Sequence, residues 1–405
     1  MHIPSERVYN EIRNEIGSIW YVPANEGAEL ALLIKAPSSC IKALVAGCKL
    51  ELTFGKFEHY LCVGVRIYDV PDAPILISKL QREAEEHVSL MRALKERKIP
   101  IFLFGEMDVC LAETTAIISE VEAYAALDLL GSESNLYVGT NPDIASHVLD
   151  CFCHSYDNQS HYPNAHEIPI ATVVAQYNKW STMNNHFYGI SGFQNIDISD
   201  KNEGEMLERT VWATLSSVFP LTLYHGPKVI SKGKERELTD VFSFYPFGSF
   251  LIETKDLSVF KAGYDRDQER RIAGVQKQVK KAIGQLVGAS KAFSRGDAIF
   301  DSCGKALNID RSNPPHCIVL ITELMHAGDW EEIVKQMCDA MAETNAFFHL
   351  IDLREFIELL KGSSGDPRLL DYNLMKRCEL FWKVKSVFIR SEPPVNASNE
   401  TSENS

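Results

Sequence analysis

Asp240, Glu253 and Lys255 stand at the ends of an otherwise apolar, aromatic and turn-forming segment, DVFSFYPFGSFLIETK. Side chains alternate faces along a strand, so Leu251, Glu253 and Lys255 share one face and Phe250, Ile252 and Thr254 the other. Pro246 and Gly248 supply turn geometry. A hairpin closed there brings Asp240 opposite the Glu253 end. Two carboxylates beside a core repel each other and are costly unless something neutralises them. A hard divalent cation, Mg²⁺ or Mn²⁺, does so, taking carboxylate, water and phosphate oxygens. Such an ion supplies Lewis acidity and a nucleophile at neutral pH. A lysine beside it positions the attacking water or holds the phosphate. The chemistry that fits is hydrolysis of a phosphodiester. The simpler alternative is a surface salt bridge, with Lys255 pairing Glu253 or Asp256.

The elements around this segment read as the second half of a two-part chain. EGEMLERTVWATLSSVF is a helix with Leu207, Val211, Leu215 and Val218 on one face. HGPKVISKGKERE reads as a basic loop, followed by the hairpin and by a long helix over residues 267–293. The strands PHCIVLIT and AFFHLIDL then alternate with the helices DWEEIVKQMCDAMAETN and REFIELLKG, the pattern of a mixed sheet covered by helices. Residues 1–190 read as an α+β domain of unassigned role. In it AELALLIKA, KALVAGCKLELTF and HYLCVGVRIYDV are expected to pair as a meander. A charged helix, SKLQREAEEHVSLMRALKERK, a buried strand, IPIFLFGE, and a helix capped by Asn141 with Pro142 at its first position follow. The polar stretch 189–204 is expected to be the linker. The tail 391–405 is Pro/Asn/Ser-rich and is expected to be disordered.

Asp240-x12-Glu253-x-Lys255 resembles the PD-(D/E)xK nuclease superfamily in its restriction-endonuclease-like branch, over about residues 203–310. Groups close to the Mrr and nuclease-related-domain families carry a helix glutamate that completes the metal site. Here Glu208 stands in that place, with Glu205 one turn earlier as its rival. Such proteins also often carry a Gln or Lys on the helix after the E-x-K strand, which puts forward Gln285, with Gln278 and Lys281 as rivals. The superfamily's proline is absent, since Thr239 precedes Asp240. The resemblance implies an α/β class fold: a C-terminal restriction-endonuclease-like α/β/α domain over 203–390 with a mixed central sheet. It implies a Mg²⁺- or Mn²⁺-dependent endonuclease acting on DNA, in restriction or defence against foreign DNA. In it Asp240, Glu253 and Glu208 ligate the metal, Lys255 is catalytic and Gln285 supports the site. RNA is not separated from DNA by these residues, and a homodimer is the expected assembly for cutting two strands. The competing reading keeps the fold without a working metal site, as a binder of nucleic acid or a protein partner.

The formal net charge of -14 argues against a protein that coats nucleic acid, which would be basic throughout. The charge is polarised, however. From Arg266 to Arg295 eight basic residues stand against Asp267 and Glu269. Lys277, Lys280 and Lys281 on this helix, and Lys232 and Lys234 in the loop, are the candidate nucleic-acid contacts. The opening residues, MHIPSERVYNEIRNEIG, hold no signal-peptide core, and no run approaches a membrane span. The ten cysteines sit mostly in apolar runs and read as reduced, which points to the cytoplasm.

Other constellations carry less. Cys151 and Cys153 of CFCH, with His161 and His166 downstream, fit no zinc spacing, and on a helix the two cysteines point apart. GSSGDP lacks the phosphate-loop order. GISGF lacks the order of a serine nucleophile elbow.

Overall fold

The computed structural model describes residues 4–391 apart from 132–135, 138, 140, 157–159, 191, 232, 258 and 265. The class is mixed α/β, as expected. The 391–405 tail, except Ser391, and Lys232 lie outside the described residues. The chain divides into two compact units. One comprises Met1–His186, Asn195–Met206 and Leu257–Arg271; the other comprises Phe187–Gln194, Leu207–Asp256 and Ile272–Ser405. The boundary is therefore not the single linker expected. The segment Leu257–Arg271 returns to the first unit because its charges are satisfied there. Arg271 donates to the Asp69 carboxylate at 2.8 Å with both side chains buried. The amide of Phe260 donates to Glu203, which also pairs with buried Lys42.

In the first unit a five-stranded sheet runs in the order Ser18–Ala24, Glu29–Lys35, Lys98–Phe104, Cys110–Ile117, Ser181–Thr182. A four-stranded antiparallel sheet runs Ile75–Leu80, Tyr60–Ile67, Leu50–Phe57, Ile170–Val174. The expected meander is thus corrected. Only the second and third runs pair with each other. Glu29–Lys35 lies between an antiparallel and a parallel neighbour. Its unbroken burial from Leu30 to Lys35 is that of a central strand. KALVAGC is helical at its start, since the helix Ser38–Val45 is anchored by Ser38, whose amide and hydroxyl both donate to Glu106. Residues 189–204 are not a linker either. Asn184–Gly189 and Gly192–Asp197 form a two-stranded sheet. Cys151 is buried with its thiol 3.5 Å from His147, and Cys153 meets Ser78.

The second unit is built on a five-stranded mixed sheet. Leu223–His225, Val241–Tyr245 and Gly248–Lys255 are successive antiparallel neighbours. His316–Ile321 and Phe347–Asp352 continue parallel to the last of these. Parallel neighbours need long crossovers. These are supplied by the helix Gln268–Ser294 and the helix Glu331–Thr344. The first of them buries Ile272, Val275, Val279, Ile283, Leu286 and Phe293, a helical stripe. It packs Phe293 on Phe242 and brings Ser290 to Cys317. The helix Pro367–Val384, not read from the sequence, lies over the other face. Its Asp371 accepts from Tyr245 and meets His316, and its Arg377 bonds the carbonyl of Leu350. The expected basic loop is also corrected. Lys228–Ser231 and Lys234–Glu237 pair antiparallel, and Ile299–Phe300 joins them.

Glycine is required at one close approach in the first unit. A Cβ on Gly55 would overlap the ring of Phe152, which is fully buried beneath the strand Leu50–Phe57. Gly55→Ala is expected to lower stability by about 1–3 kcal/mol through overpacking, measured by urea denaturation. An unchanged midpoint would show that the ring moves aside freely.

Candidate active site

The hairpin closes as the alternation required. Val241 pairs with Ile252 and Tyr245 with Gly248, which sets Asp240 at the end of the ladder, opposite Glu253. Thr239 fixes the approach by donating its hydroxyl to the carbonyl of Ile252 at 2.7 Å. Asp240 is then oriented by Thr254, whose amide and hydroxyl donate to Oδ2 at 2.7 and 3.1 Å. Lys255 Nζ lies 3.0 Å from Glu253 Oε2 and 3.7 Å from Asp240 Oδ2. Both carboxylates therefore converge on one ammonium. The Lys255–Glu253 salt bridge of the simpler alternative is present, but it is largely buried and not a surface pair. The Glu253 side chain is only 4% exposed, and Asp240 and Lys255 are 16% and 15% exposed.

One lysine does not offset the cost of two half-sequestered carboxylates. Burial, with the neighbouring Asp240 charge adding to it, pushes the Glu253 carboxyl up to about 7 against the pull of Lys255. Burial likewise raises Asp240, opposed by Lys255 and by the Thr254 amide, with Glu208 adding to the rise. The donor set is all carboxylate oxygen, and the repulsion within it is what a hard divalent cation relieves. Asp240 and Glu253 offer the oxygen ligands such an ion takes, although among the described residues they do not close up with Glu208 into a three-ligand cluster.

The helix Glu203–Leu215 places its two glutamates differently. Glu205 accepts from Asn202 at 2.6 Å, at the start of the helix. Glu208 is the one in the field of Asp240, and its Oε2 lies 2.8 Å from His225 Nε2. His225 was not singled out in the sequence. The Asp–Glu–Lys spacing has no slot for it, and only the pairing of His225 with Val241 carries it beside Asp240. The turn after it is tight. Gly226 has φ +54 and donates its amide to the Asp240 carbonyl at 2.8 Å. A side chain there would come within 3.1 Å of Glu237. The Glu208 carboxylate holds His225 above its ordinary range against burial, with Glu237 and Asp240 reinforcing it. Glu237 is the second missed residue. Its side chain is half exposed, and its carboxyl is raised by partial burial with Asp240 and Glu208 adding to the rise against Lys228. Three positions before Asp240, it was hidden in a stretch read for its lysines.

Gln285 is exposed, between the buried Ile283 and Leu286. Among the described residues it makes no contact with Asp240, Glu253 or Lys255. Gln278 is exposed as well. The basic helix is largely neutralised by its own neighbours. Lys280 pairs with Glu332, Lys291 with Glu343, Arg295 with Asp297 and Arg270 with Asp267. Lys277 and Lys281 are exposed and make no ion pair among the described residues, and Lys234 is exposed on its edge strand.

A carboxyl raised in the folded state is favourable while protonated and unfavourable once ionised. The Glu253 contribution is thus fully present below its unfolded value near 4.5 and is lost as pH rises through about 7. In metal-free buffer, Glu253→Gln is expected to gain roughly 1–3 kcal/mol over the wild type at pH 8 and little at pH 4. Urea denaturation across that range checks it. Parallel pH profiles for the two proteins would contradict the burial cost assigned to Glu253. No family model matches this chain, and no curated protein or solved structure matches it either.

Proposed function

We propose that the second unit is a metal-dependent nuclease of the PD-(D/E)xK type that hydrolyses DNA phosphodiester bonds. The observation that carries this reading is the convergence of Asp240 and Glu253 on Lys255 at one end of a mixed sheet. The layout of the sheet supports a restriction-endonuclease-like core, with an antiparallel hairpin, two further parallel strands and helices on both faces.

Asp240 and Glu253 would hold a divalent ion, Mg²⁺ or Mn²⁺, with Glu208 completing the set. When bound, the ion supplies Lewis acidity at the phosphate and a nucleophile at neutral pH. Lys255 contributes what an ion alone does not. Its ammonium has three donors and is held on the pair, where it can orient a water or take a phosphate oxygen. Thr254 keeps Asp240 from rotating away. His225 fixes the orientation of Glu208 in the manner of groups that support a metal ligand from behind. Substrate phosphates would approach along Lys277, Lys281 and Lys234, whose charges are not already met.

Asp240→Asn, Glu253→Gln and Lys255→Ala are each expected to lower cleavage about a hundredfold or more while the fold persists. Glu208→Ala should do the same and Glu205→Ala should not. The assay is incubation with plasmid, linear duplex, single-stranded DNA and RNA in Mg²⁺, with chelator as control. Binding without cleavage by the wild type would favour the non-catalytic binder. Cleavage that survives in Glu253→Gln would contradict the site.

On duplex DNA, Lys277→Ala and Lys281→Ala should each lower the slope of log K against log salt by about 0.9. Lys280→Ala should lower it less, since Glu332 already meets that charge. Equal slopes in all three variants would show that this face does not touch phosphate.

A further inference from the structure

The hairpin Asn184–Gly189 and Gly192–Asp197 presents an unusual surface. Tyr188, Ile190 and Phe193 are 79%, 74% and 61% exposed. The rings of Tyr188 and Phe193 lie 5.9 Å apart, centroid to centroid. Three large apolar side chains within six residues are not the scattered exposure of an ordinary surface. Nor do they serve the core: the hairpin is seated through Gly189 instead. A Cβ on Gly189 would fall 3.1 Å from Ser216 Cβ and 3.3 Å from the Trp212 ring. Tyr188 and Ile190, on either side of that contact, are left exposed to solvent.

Trp212 is four residues after Glu208 on the same helix. Residues so spaced are neighbours on one face, about 5–6 Å apart. The tip of the hairpin, which with Phe187–Gln194 belongs to the second unit, is therefore seated on the helix that carries Glu208, one to two turns beyond that carboxylate. Its charge sets the kind of partner. From Asn184 to Asn195 there is no Asp or Glu, in a chain of net charge -14. Gln194 follows Phe193 in the sequence, whereas the side-chain oxygen of Asn195 is buried. Exposed aromatics without a carboxylate at the tip, seated on the helix of the candidate site, suit the faces and edges of nucleobases; the hairpin's one acid, Asp197, stands at its base and accepts from Ser199.

We propose that Tyr188 and Phe193, with Ile190, form a stacking platform for bases next to the phosphate held at Asp240 and Glu253. The substrate is then one with unstacked bases at the cut, a single strand or a frayed end. This rests on the nuclease reading of the same unit. The test uses the full chain carrying Glu253→Gln, to prevent cleavage, and fluorescence anisotropy with a labelled single-stranded oligonucleotide. A strand of equal length with an abasic run is the second probe. Tyr188→Ala with Phe193→Ala should weaken binding of the base-bearing strand about tenfold or more. It should leave the abasic strand unchanged, and Tyr188→Phe should retain binding. Equal affinity in the double variant, an equal loss on the abasic strand, or a wild-type dimer that the double variant dissociates would each overturn the platform. If the wild type cleaves and the double variant binds and cleaves like it, only the platform falls. If the parent neither binds nor cleaves any nucleic acid, the nuclease reading falls with it.

Discussion

The second unit is organised around a charge imbalance: two carboxylates share one lysine at a nearly dry strand end. Glu253 is the least exposed of the three, and its carboxyl is the most disturbed. Burying like charges together is unfavourable in any fold. It persists here because the backbone leaves no alternative. Glu253 and Lys255 are two residues apart on one strand face, and the hairpin register sets Asp240 across from them. Thr239 and Thr254 then lock that end of the hairpin. Repulsion only partly offset by Lys255 and held in place by secondary structure is what marks this end as a candidate site.

The rest of the unit keeps that end fixed and isolated. The parallel strand His316–Ile321 runs beside Gly248–Lys255 along six paired positions, with Glu253 beside Val319. The long helix covers the face that bears Leu251 and Glu253. At the opposite, turn end of the hairpin, Tyr245, Asp371, His316 and His349 form a continuous hydrogen-bonded chain. Burial and the neighbouring His316 and Arg377 hold His349 well below its ordinary range, so the chain is neutral at its inner end.

Much of this was legible in the sequence, for reasons that can be named. Strand alternation set Glu253 beside Lys255, and the Pro246–Gly248 turn implied the register that returns Asp240. The long helix and the two later strands followed from periodicity and length. What failed needed information that is not local. The return of Leu257–Arg271 to the first unit depends on a partner at Asp69, far away in sequence. KALVAGC carries too few residues for periodicity to separate helix from strand. The polar, glycine-containing 189–204 stretch read as a linker, because exposed aromatics in a hairpin leave no core pattern. His225 and Glu237 entered the site only through edge-strand pairing. The basic helix was overcounted because its acidic partners, Glu332 and Glu343, lie on a later helix.

The central claim is that Asp240 and Glu253 together hold a divalent cation. Calorimetric titration of Mg²⁺ or Mn²⁺ into the full-length wild type, Asp240→Asn and Glu253→Gln, without nucleic acid, addresses it most directly. The account predicts a saturable site in the wild type that both substitutions abolish or weaken at least tenfold. Identical isotherms in the three proteins, or no binding to the wild type at millimolar cation, would contradict it.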